Sequence, residues 1–216
     1  MAFSYSPKIV TDGLVLYLDA ANPYSYVSGS TTWNDLSRAG NNGTLTNGPT
    51  FNTGSGGSIV FDGVNDYASI APTVVNTPWS LCTVIRASNS GFPALYSQDG
   101  LRIWVGITPS LAVGVHVNFN TRSDTPAGSF TLNQTSFIGV SSTPTVLSVF
   151  INSTKYSLTT YSNPTTNTLA SIASYSDKTK DFFQGSIFTF SMYNKALSDD
   201  EVLQNYNATK GRFGLK

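Results

Sequence analysis

The sequence predicts an all-β protein, folded as a two-sheet antiparallel jelly-roll sandwich with one short C-terminal helix. About a dozen short stretches alternate apolar and polar residues with a period of two, which is the spacing of side chains on one face of a strand. Polar turns separate these stretches, and no helical periodicity appears before residue 198. The chain has 216 residues. That length suffices for one sandwich domain, which buries roughly 70% of its unfolded surface.

The first predicted strand follows a short N-terminal leader, residues 1–12, and opens a domain that runs over 13–216. Leucine recurs at alternate positions from Leu14 to Leu18, with Val15 and Tyr17 between the leucines. Both faces of this strand are therefore apolar, and we expect the strand to be covered on two sides.

A long polar segment follows at residues 22–57, which is rich in Gly, Asn, Ser and Thr and contains few strand signals. We expect it to be a surface connection, pinned to the core by Trp33 and Leu45 among others. Residues 58–70 then predict a β-hairpin, because a turn that begins at Asp62 separates two apolar runs.

The middle of the chain predicts further strands, and the run from Leu111 to Phe119 has the clearest period of two. Residues 152–155 are polar and join two apolar runs, which predicts a second hairpin. The other predicted strands cover residues 79–85, 94–96, 101–107, 137–140, 146–151, 156–158 and 169–175.

The end of the chain, residues 182–215, predicts a strand that runs directly into the helix. Phe188, Phe190 and Met192 recur at alternate positions, so they are predicted to share one face of the strand. We expect this closing strand to lie beside the first strand in one sheet.

The helix itself is predicted from its end signals. Ser198 is suited to be the N-cap, and Glu201 stands three residues later to complete a capping box. Leu197 and Val202 flank the cap as a hydrophobic staple. Lys210 and Gly211 predict the end of the helix. Beyond that end, we expect Phe213 to fold back onto the first strand.

Composition excludes several classes of partner. The chain has 12 basic and 12 acidic residues, and only 11% of its residues are charged. A nucleic-acid-binding protein needs a basic stripe to neutralise phosphates, and a polybasic membrane anchor needs clustered Lys and Arg. We therefore expect neither nucleic acid nor a membrane as a partner. The single cysteine, Cys82, is expected to be a small buried residue in a strand.

The sequence offers little for catalysis, and we predict that the protein is not an enzyme. Glycoside hydrolysis needs a pair of carboxylates, yet Glu201 is the only glutamate and is already explained as a capping residue. His116 is the only histidine, and valines on both sides predict that its ring points away from the apolar face. A zinc site cannot be assembled from one His and one Cys.

Two candidate ligand sites remain. Asp62 and Asp66, with Asn65 between them, could supply oxygen ligands to a calcium ion. Alternatively, Asp62 shapes a turn and Asp66 accepts backbone hydrogen bonds. We expect no cofactor, and calcium is the one ion whose binding stays open. For a carbohydrate, the candidates are Tyr24 and Tyr26, which stand in a polar loop where their rings would be exposed.

Several motifs resemble the laminin-G-like, concanavalin A-like jelly-roll family. These are G-L-V-L-Y-L-D-A-A-N-P, W-N-D-L-S and F-D-G-V-N-D-Y in the first third of the chain, and G-S-I-F-T-F-S-M-Y-N-K-A-L-S-D-D-E at its end. The family includes calcium-binding members. One departure is Arg38, which stands in a turn where the family usually has glycine. If the backbone there needs a positive φ, Arg38 is strained.

The two ends of the chain further resemble virion structural proteins of tailed phages, through K-I-V-T-D-G-L-V-L-Y-L-D-A-A-N-P and E-V-L-Q-N-Y-N-A-T-K-G-R-F-G-L. This resemblance implies a non-catalytic protein located on the virion, as a capsid decoration, head fibre or tail-associated protein that docks on other virion proteins. The alternative function is a glycan-binding adhesion module on the virion surface, with a host-surface glycan as partner and calcium dependence left open.

Overall fold

The computed structural model describes residues 8–70, 78–98, 103–117, 122–159 and 170–216. Within these ranges the chain forms sixteen β-strands, a 3-10 helix at Gly54–Gly56 and one α-helix, α1, at Asp199–Phe213. The strands in chain order are β1 Leu14–Asp19, β2 Thr32–Trp33, β3 Gly43–Thr46, β4 Thr50–Asn52, β5 Ser58–Asp62, β6 Tyr67–Ile70, β7 Trp79–Ala87, β8 Ala94–Gln98, β9 Ile103–Ile107, β10 Val113–Val117, β11 Arg122–Asp124, β12 Ser136–Ser142, β13 Val146–Ile151, β14 Thr154–Thr159, β15 Ala170–Ile172 and β16 Gln184–Tyr193.

The strands form two antiparallel sheets that pack face to face. The first sheet has the order β14-β13-β12-β7-β16-β5-β4, and β1 also pairs with β16. The second sheet has the order β11-β10-β9-β8-β15-β6-β3-β2. Apolar side chains from both inner faces, such as Ile85 and Phe190 facing Tyr96 and Val105, form the core between the sheets. The predicted all-β sandwich with one C-terminal helix is therefore confirmed.

The closing strand β16 lies at the centre of the first sheet. It pairs with β7 along one edge. Along its other edge, β5 pairs with Gln184–Ile187 and β1 pairs with Thr189–Tyr193, so these two strands lie end to end. The predicted adjacency of the first and closing strands is confirmed.

A β-bulge at Phe188 turns this side chain to the opposite face from the one predicted. The bulge lies between Ile187 and Thr189, whose partners on β7 are consecutive residues, so Phe188 is the extra residue. Phe190 and Met192 enter the core between the sheets, while Phe188 belongs to a second cluster on the outer face of the first sheet. The prediction of a shared face is therefore wrong for Phe188, because the bulge interrupts the period of two.

The predicted hairpin at residues 58–70 is also wrong, since β5 and β6 belong to different sheets. β5 pairs with β16 and β4, whereas β6 pairs with β15 and β3. Residues 63–66 thus carry the chain from one sheet to the other. Two neighbouring apolar runs fit either arrangement, because periodicity contains no information about pairing partners. The second predicted hairpin is confirmed, since β13 pairs with β14 around Asn152.

The segment at residues 22–57 is more regular than predicted. It contains β2, β3 and β4, which are two to four residues long and too short to produce a visible period. Trp33 and Leu45 are buried, as predicted. Arg38 does adopt a positive φ of 76°, so the strain expected at that turn is present.

The start of α1 is as predicted. The Ser198 hydroxyl accepts a hydrogen bond from the Glu201 N–H at 3.3 Å, and the Glu201 carboxylate accepts one from the Ser198 N–H at 2.9 Å. Leu197 and Val202 both join the second cluster, which lies between the helix and the first sheet. The protein therefore has a helical layer on the outer face of one sheet.

The end of α1 lies further along than predicted. The helix continues through Gly211 to Phe213, and Gly214 caps it in a left-handed conformation with φ 62°. Phe213 is buried, and its ring lies 5.1 Å from that of Phe188 on β16, whereas the packing of Phe213 on the first strand stays a prediction. This contact explains the extra turn, because tertiary packing of an apolar side chain outweighs the weak helix propensity of glycine.

Candidate functional site

The two predicted calcium ligands lie in the connection between β5 and β6. The Asp62 carboxylate accepts hydrogen bonds from the N–H groups of Val64 at 2.8 Å and Asn65 at 3.3 Å. These backbone donors, first that of Val64, hold the pKa of Asp62 below its usual value. The Asp66 carboxylate accepts the N–H of Asp62 at 3.1 Å. Both carboxylates therefore stabilise the turn itself.

Asp66 has a second feature that bears on a cation. Its side chain is only 4% exposed, and its Oδ1 is buried without a hydrogen-bond partner within the described ranges. Burial raises the pKa of this carboxyl. The described residues contain no group of three or more His, Cys, Asp or Glu side chains that could hold a metal ion. A calcium site at Asp62 and Asp66 therefore stays the open alternative to their role in the turn.

The two candidate tyrosines differ in their exposure to solvent. Tyr24 is 82% exposed, as expected for a loop residue that presents its ring to solvent. Tyr26 is only 5% exposed, and its ring packs 5.3 Å from that of Phe51 at the edge of the core. The expectation that Tyr26 is exposed is therefore wrong, because an aromatic side chain in a polar loop can still turn inward to bury its area. The structure leaves Tyr24 as the exposed member of the pair.

The single Cys and the single Glu both have structural surroundings. Cys82 is buried, its sulfur accepts a hydrogen bond from the Asn205 amide at 3.5 Å, and burial raises its pKa to about 12. Glu201 caps α1 and also binds the Lys195 ammonium at 2.8 Å. That ammonium, followed by the Ser198 N–H, holds the pKa of Glu201 below its usual value. Neither side chain is placed as a nucleophile or a proton donor.

His116 leads to a surface that the sequence analysis did not single out. The register of the second sheet places Trp104, His116 and Arg122 directly opposite one another on β9, β10 and β11. Directly opposite residues in a sheet share a face. Their neighbour Val115 lies in the core, so this row lies on the outer face.

The neighbouring row on the same face contains two glycines, Gly106 and Gly114, followed by Asp124. A Cβ atom at Gly106 would lie 2.3 Å from Cζ2 of Trp104, and one at Gly114 would lie 3.0 Å from its Cζ3. The indole ring therefore extends over both glycines, and larger residues would displace it. The His116 ring stands edge-on to the indole at 5.5 Å.

Phe92 completes the surface from the loop before β8. Its φ of 73° is unusual for a bulky residue, and its ring is 36% exposed. The Arg122 guanidinium lies 4.7 Å above the Phe92 ring, and its Nε donates to both Asp124 oxygens at 2.7 and 3.0 Å. We call Phe92, Trp104, His116, Arg122 and Asp124 the β9–β11 cluster.

The β9–β11 cluster carries little net charge at neutral pH. Burial, followed by the nearby Arg122 guanidinium, lowers the pKa of His116 from its usual 6.5. The imidazole is therefore neutral at pH 7, and the charges of Arg122 and Asp124 offset each other. An exposed aromatic ring beside paired polar groups can stack on one face of a ligand and hydrogen-bond its edge. In the sequence, the strand alternation around Trp104 and His116 indicated the face of the strand on which each residue lies. Only the register between β9 and β10 brings the two side chains together.

The fold is similar to parts of several solved structures. The Trypanosoma rangeli sialidase in complex with sialic acid is 14% identical, with a TM-score of 0.71 over 97% of this chain and 36% of that chain. Domain 4 of AbnA, an extracellular GH43 arabinanase from Geobacillus stearothermophilus, in complex with arabinotriose, is 15% identical, with a TM-score of 0.70 over 88% of this chain and 96% of that chain. The binding domain of Paraclostridial Mosquitocidal Protein 1 is 16% identical, with a TM-score of 0.68 over 92% of this chain and 52% of that chain.

These similarities concern the fold alone, since all three identities are low. The chain spans about a third of the length of the sialidase. A comparison with curated protein sequences gives no match. In the described ranges, α1 does not have the length and apolarity of a membrane-crossing helix.

A family model gives the assignment. The laminin G-like model described as the concanavalin A-like lectin/glucanases superfamily matches residues 61–203, which is about two thirds of the chain. The matched range runs from β5 through β16 into α1 and so includes most of both sheets. The chain therefore belongs to the concanavalin A-like lectin/glucanases superfamily.

Proposed function

We propose that this chain is a non-catalytic structural domain of a tailed-phage virion, where it docks on other particle proteins. The observation that carries this proposal is the joining of the two chain ends that resemble virion proteins. The Val10 N–H donates to the Asn205 side chain of α1 at 2.8 Å, and the Tyr193 hydroxyl donates to the Val10 carbonyl at 3.1 Å. The Gln204 amide donates to the Lys8 carbonyl at 2.8 Å. Both resembling stretches thus form one structural unit.

The non-catalytic part of the proposal is supported by the surroundings of the reactive side chains. Glu201 is committed to the helix cap and to Lys195, and Cys82 is a buried thiol. His116 packs edge-on against Trp104. Acid–base catalysis needs a pair of groups whose pKa values are separated and whose side chains reach a substrate. The surroundings of Glu201, Cys82 and His116 therefore support a non-catalytic domain.

Localisation in the particle is the direct test. We expect electron cryo-microscopy of intact virions to show a density for this sandwich and its helical layer on the capsid or the tail, in contact with another virion protein. Mass spectrometry of purified particles supplies an independent measurement, in which the chain should be present at a constant ratio to the major capsid protein. The proposal would be contradicted if neither electron cryo-microscopy nor mass spectrometry finds the chain in the particles.

A second candidate function is a glycan-binding adhesion module on the same particle. The β9–β11 cluster favours it, because Phe92 offers an exposed ring beside the Arg122–Asp124 pair. The names of the similar structures point to the same ligand class, since one contains sialic acid and another arabinotriose. A docking protein would instead cover such a surface with a neighbouring protein, burying about 800 Å² on each partner.

The two functions are separable by binding experiments on the purified chain. If the glycan module is correct, a panel containing arabinotriose and sialyllactose should include a ligand whose affinity falls at least tenfold in Phe92→Ala. Tyr24→Ala is the comparison, because it removes the other exposed candidate ring, which lies at a different place. A panel without any ligand, or equal losses in both variants, would exclude the β9–β11 cluster as a glycan site and would leave the docking proposal unaffected.

A further inference from the structure

The chain contains two pairs in which glycine follows asparagine, and the fold gives them different surroundings. The first pair is Asn42 with Gly43, and the second is Asn47 with Gly48. In such a pair the backbone nitrogen of the glycine can attack the side-chain amide carbon of the asparagine, because no Cβ atom obstructs the approach. Both asparagine side chains are exposed. The difference between the pairs therefore comes from the glycines and from the hydrogen bonds.

The first pair is held by the second sheet. Gly43 is the first residue of β3, where it is buried and paired with Trp33 of β2 and Ile70 of β6. The Asn42 side-chain oxygen accepts the Asp35 N–H at 2.8 Å. The Gly43 nitrogen can reach the Asn42 side chain only if this part of the sheet opens, and a strand that lies between two neighbours opens rarely.

The second pair instead forms an exposed turn between β3 and β4. Asn47 has a φ of 69° and Gly48 has a φ of 99°, so neither residue continues a strand. Gly48 is exposed, and a Cβ atom there would meet no atom within 4 Å. Among the described residues, no hydrogen bond uses the Gly48 N–H. Neither a neighbouring strand nor a packed side chain therefore holds this nitrogen away from Asn47.

A single hydrogen bond holds the Asn47 side chain. Its Nδ2 donates to the Asn65 carbonyl at 2.8 Å at the surface of the protein, and so joins the β3–β4 turn to the connection between β5 and β6. Water can replace this bond when the side chain rotates, because the bond is exposed. A carboxylate in the place of this amide would have no donor for the Asn65 carbonyl.

We propose that Asn47 is the site at which the folded chain deamidates, and that the conversion releases the β3–β4 turn from the β5–β6 connection. The Gly48 nitrogen loses its proton and bonds to Cγ of Asn47, while the Cγ–Nδ2 bond breaks and ammonia leaves with that proton. Water then opens the cyclic imide. Addition at Cγ gives aspartate, whereas addition at the main-chain carbonyl gives isoaspartate. No oxidant or reductant takes part.

The new carboxylate would change the electrostatics of this end of the protein. The β5–β6 connection already uses the carboxylates of Asp62 and Asp66 to hold its backbone. Burial, and also the charge of Asp62, raises the pKa of Asp66, so a further negative charge beside the connection is unfavourable. Deamidation also adds one negative charge to a chain whose formal net charge is zero. This modification site does not rest on the proposed function.

Mass spectrometry of the full folded chain, kept in warm and mildly alkaline buffer and then digested, measures the conversion at both positions. The gain is the mass difference between a carboxylic acid and an amide, and fragmentation of the peptides assigns it to a residue. We expect Asn47 to convert at least about tenfold faster than Asn42, because only the first pair requires the sheet to open. In denaturant, the two rates should become similar.

Substitutions test both parts of the proposal. Asn47→Gln keeps the amide but lengthens the side chain, and it should remove most of the acidic form seen by isoelectric focusing, whereas Asn42→Gln should not. Asn47→Asp mimics the product and should lower the melting temperature by about 2–4 °C, because it loses the bond to Asn65. Asn42→Asp is the comparison and should have a smaller effect, since a carboxylate can still accept the Asp35 N–H.

Three results would overturn the proposal. The first is conversion of Asn42 as fast as that of Asn47 in the folded chain. The second is a folded chain in which neither asparagine converts although both convert in denaturant. The third is an Asn47→Asp variant that melts at the same temperature as the unmodified chain.

Discussion

The Arg212 guanidinium donates one hydrogen bond to each carboxylate oxygen of Asp19. Nη1 donates to Oδ2 at 2.6 Å and Nη2 donates to Oδ1 at 2.7 Å, while Nη2 also reaches the Gly56 carbonyl at 2.9 Å. Asp19 is the last residue of β1 and Arg212 stands in the last turn of α1, so this pair ties the helix to the strand beside β16. The Asp19 side chain is only 7% exposed. A buried carboxylate of this kind depends on its partner.

We therefore predict that Arg212→Ala lowers the free energy of unfolding by about 3 kcal/mol, because it leaves the buried Asp19 carboxylate without a charged partner, with only the Tyr17 hydroxyl and the Ala21 N–H as donors. The matched control is Arg122→Ala, which removes a similar two-oxygen contact from a pair that is about one-third exposed and should cost less than about 1 kcal/mol. Chemical denaturation of both variants measures the difference. Equal losses would show that burial of Asp19 does not decide the strength of the pair.

Phe213→Ala is predicted to lower the free energy of unfolding by roughly 2–4 kcal/mol, because it empties a place in the cluster between α1 and the first sheet. Its ring packs against Phe188, the bulged residue of β16. Phe92→Ala removes an aromatic ring that is partly exposed and should cost much less. Thermal and chemical denaturation of the two variants give the comparison, and an unchanged stability in Phe213→Ala would contradict the packing described for the last helical turn.

Gly211→Ala is predicted to stabilise the protein by about 0.5–1 kcal/mol, since alanine is the better residue inside a helix. Gly211 lies within α1, and a Cβ atom there would meet no atom within 4 Å. Gly214→Ala should have the opposite sign, because position 214 has a φ of 62° that alanine adopts only with strain. If α1 ended before Gly211 in solution, the first substitution would not raise the melting temperature.

Titration of the Glu201 carboxylate is predicted to make the free energy of unfolding fall in acidic solution. Its folded pKa is lowered from the usual 4.5 by Lys195 and the Ser198 N–H. The stabilisation is therefore present above about pH 4.5 and is lost as the pH falls through the lower, folded pKa. Glu201→Gln should reduce the stability at pH 7 by a fraction of about 1 kcal/mol and flatten the decline below pH 4.5.

Glutamine can still accept the Ser198 N–H, so the substitution isolates the charge from the cap. Asp200→Asn removes another carboxylate from the same first turn and serves as the control. An identical acid decline in Glu201→Gln and the unmodified chain would contradict the role of the Glu201 charge.

Calcium is predicted to leave the melting temperature unchanged within error. Asp62 and Asp66 already accept backbone hydrogen bonds in the turn, and a ligand that binds only the folded state must raise the melting temperature. Differential scanning calorimetry with and without calcium measures the effect. A clear rise that disappears in Asp62→Ala or Asp66→Ala would establish a calcium site, and the unpartnered Oδ1 of Asp66 would then be its natural ligand.

Local signals in the sequence were sufficient for the features that depend on neighbouring residues. The capping box of Ser198 and Glu201 and the hairpin at Asn152 both appear as predicted. Each of them is a matter of backbone conformation and hydrogen bonds over four or five consecutive residues.

Features that depend on distant partners were not readable in the same way. The alternation in β5 and β6 is equally compatible with a hairpin, and only their separate pairing with β16 and β15 places them in different sheets. Tyr26 stands in a polar loop but is buried by Phe51. The bulge at Phe188 and the contact with Phe213 extend α1 by a turn.

The β9–β11 cluster depends on the same kind of information. Trp104, His116 and Arg122 form a row only because β9, β10 and β11 pair in one register. A shift by one residue in this sheet would turn every one of these side chains to the other face. Period two tells which residues of one strand share a face, whereas the register between strands comes from the packing of the whole core.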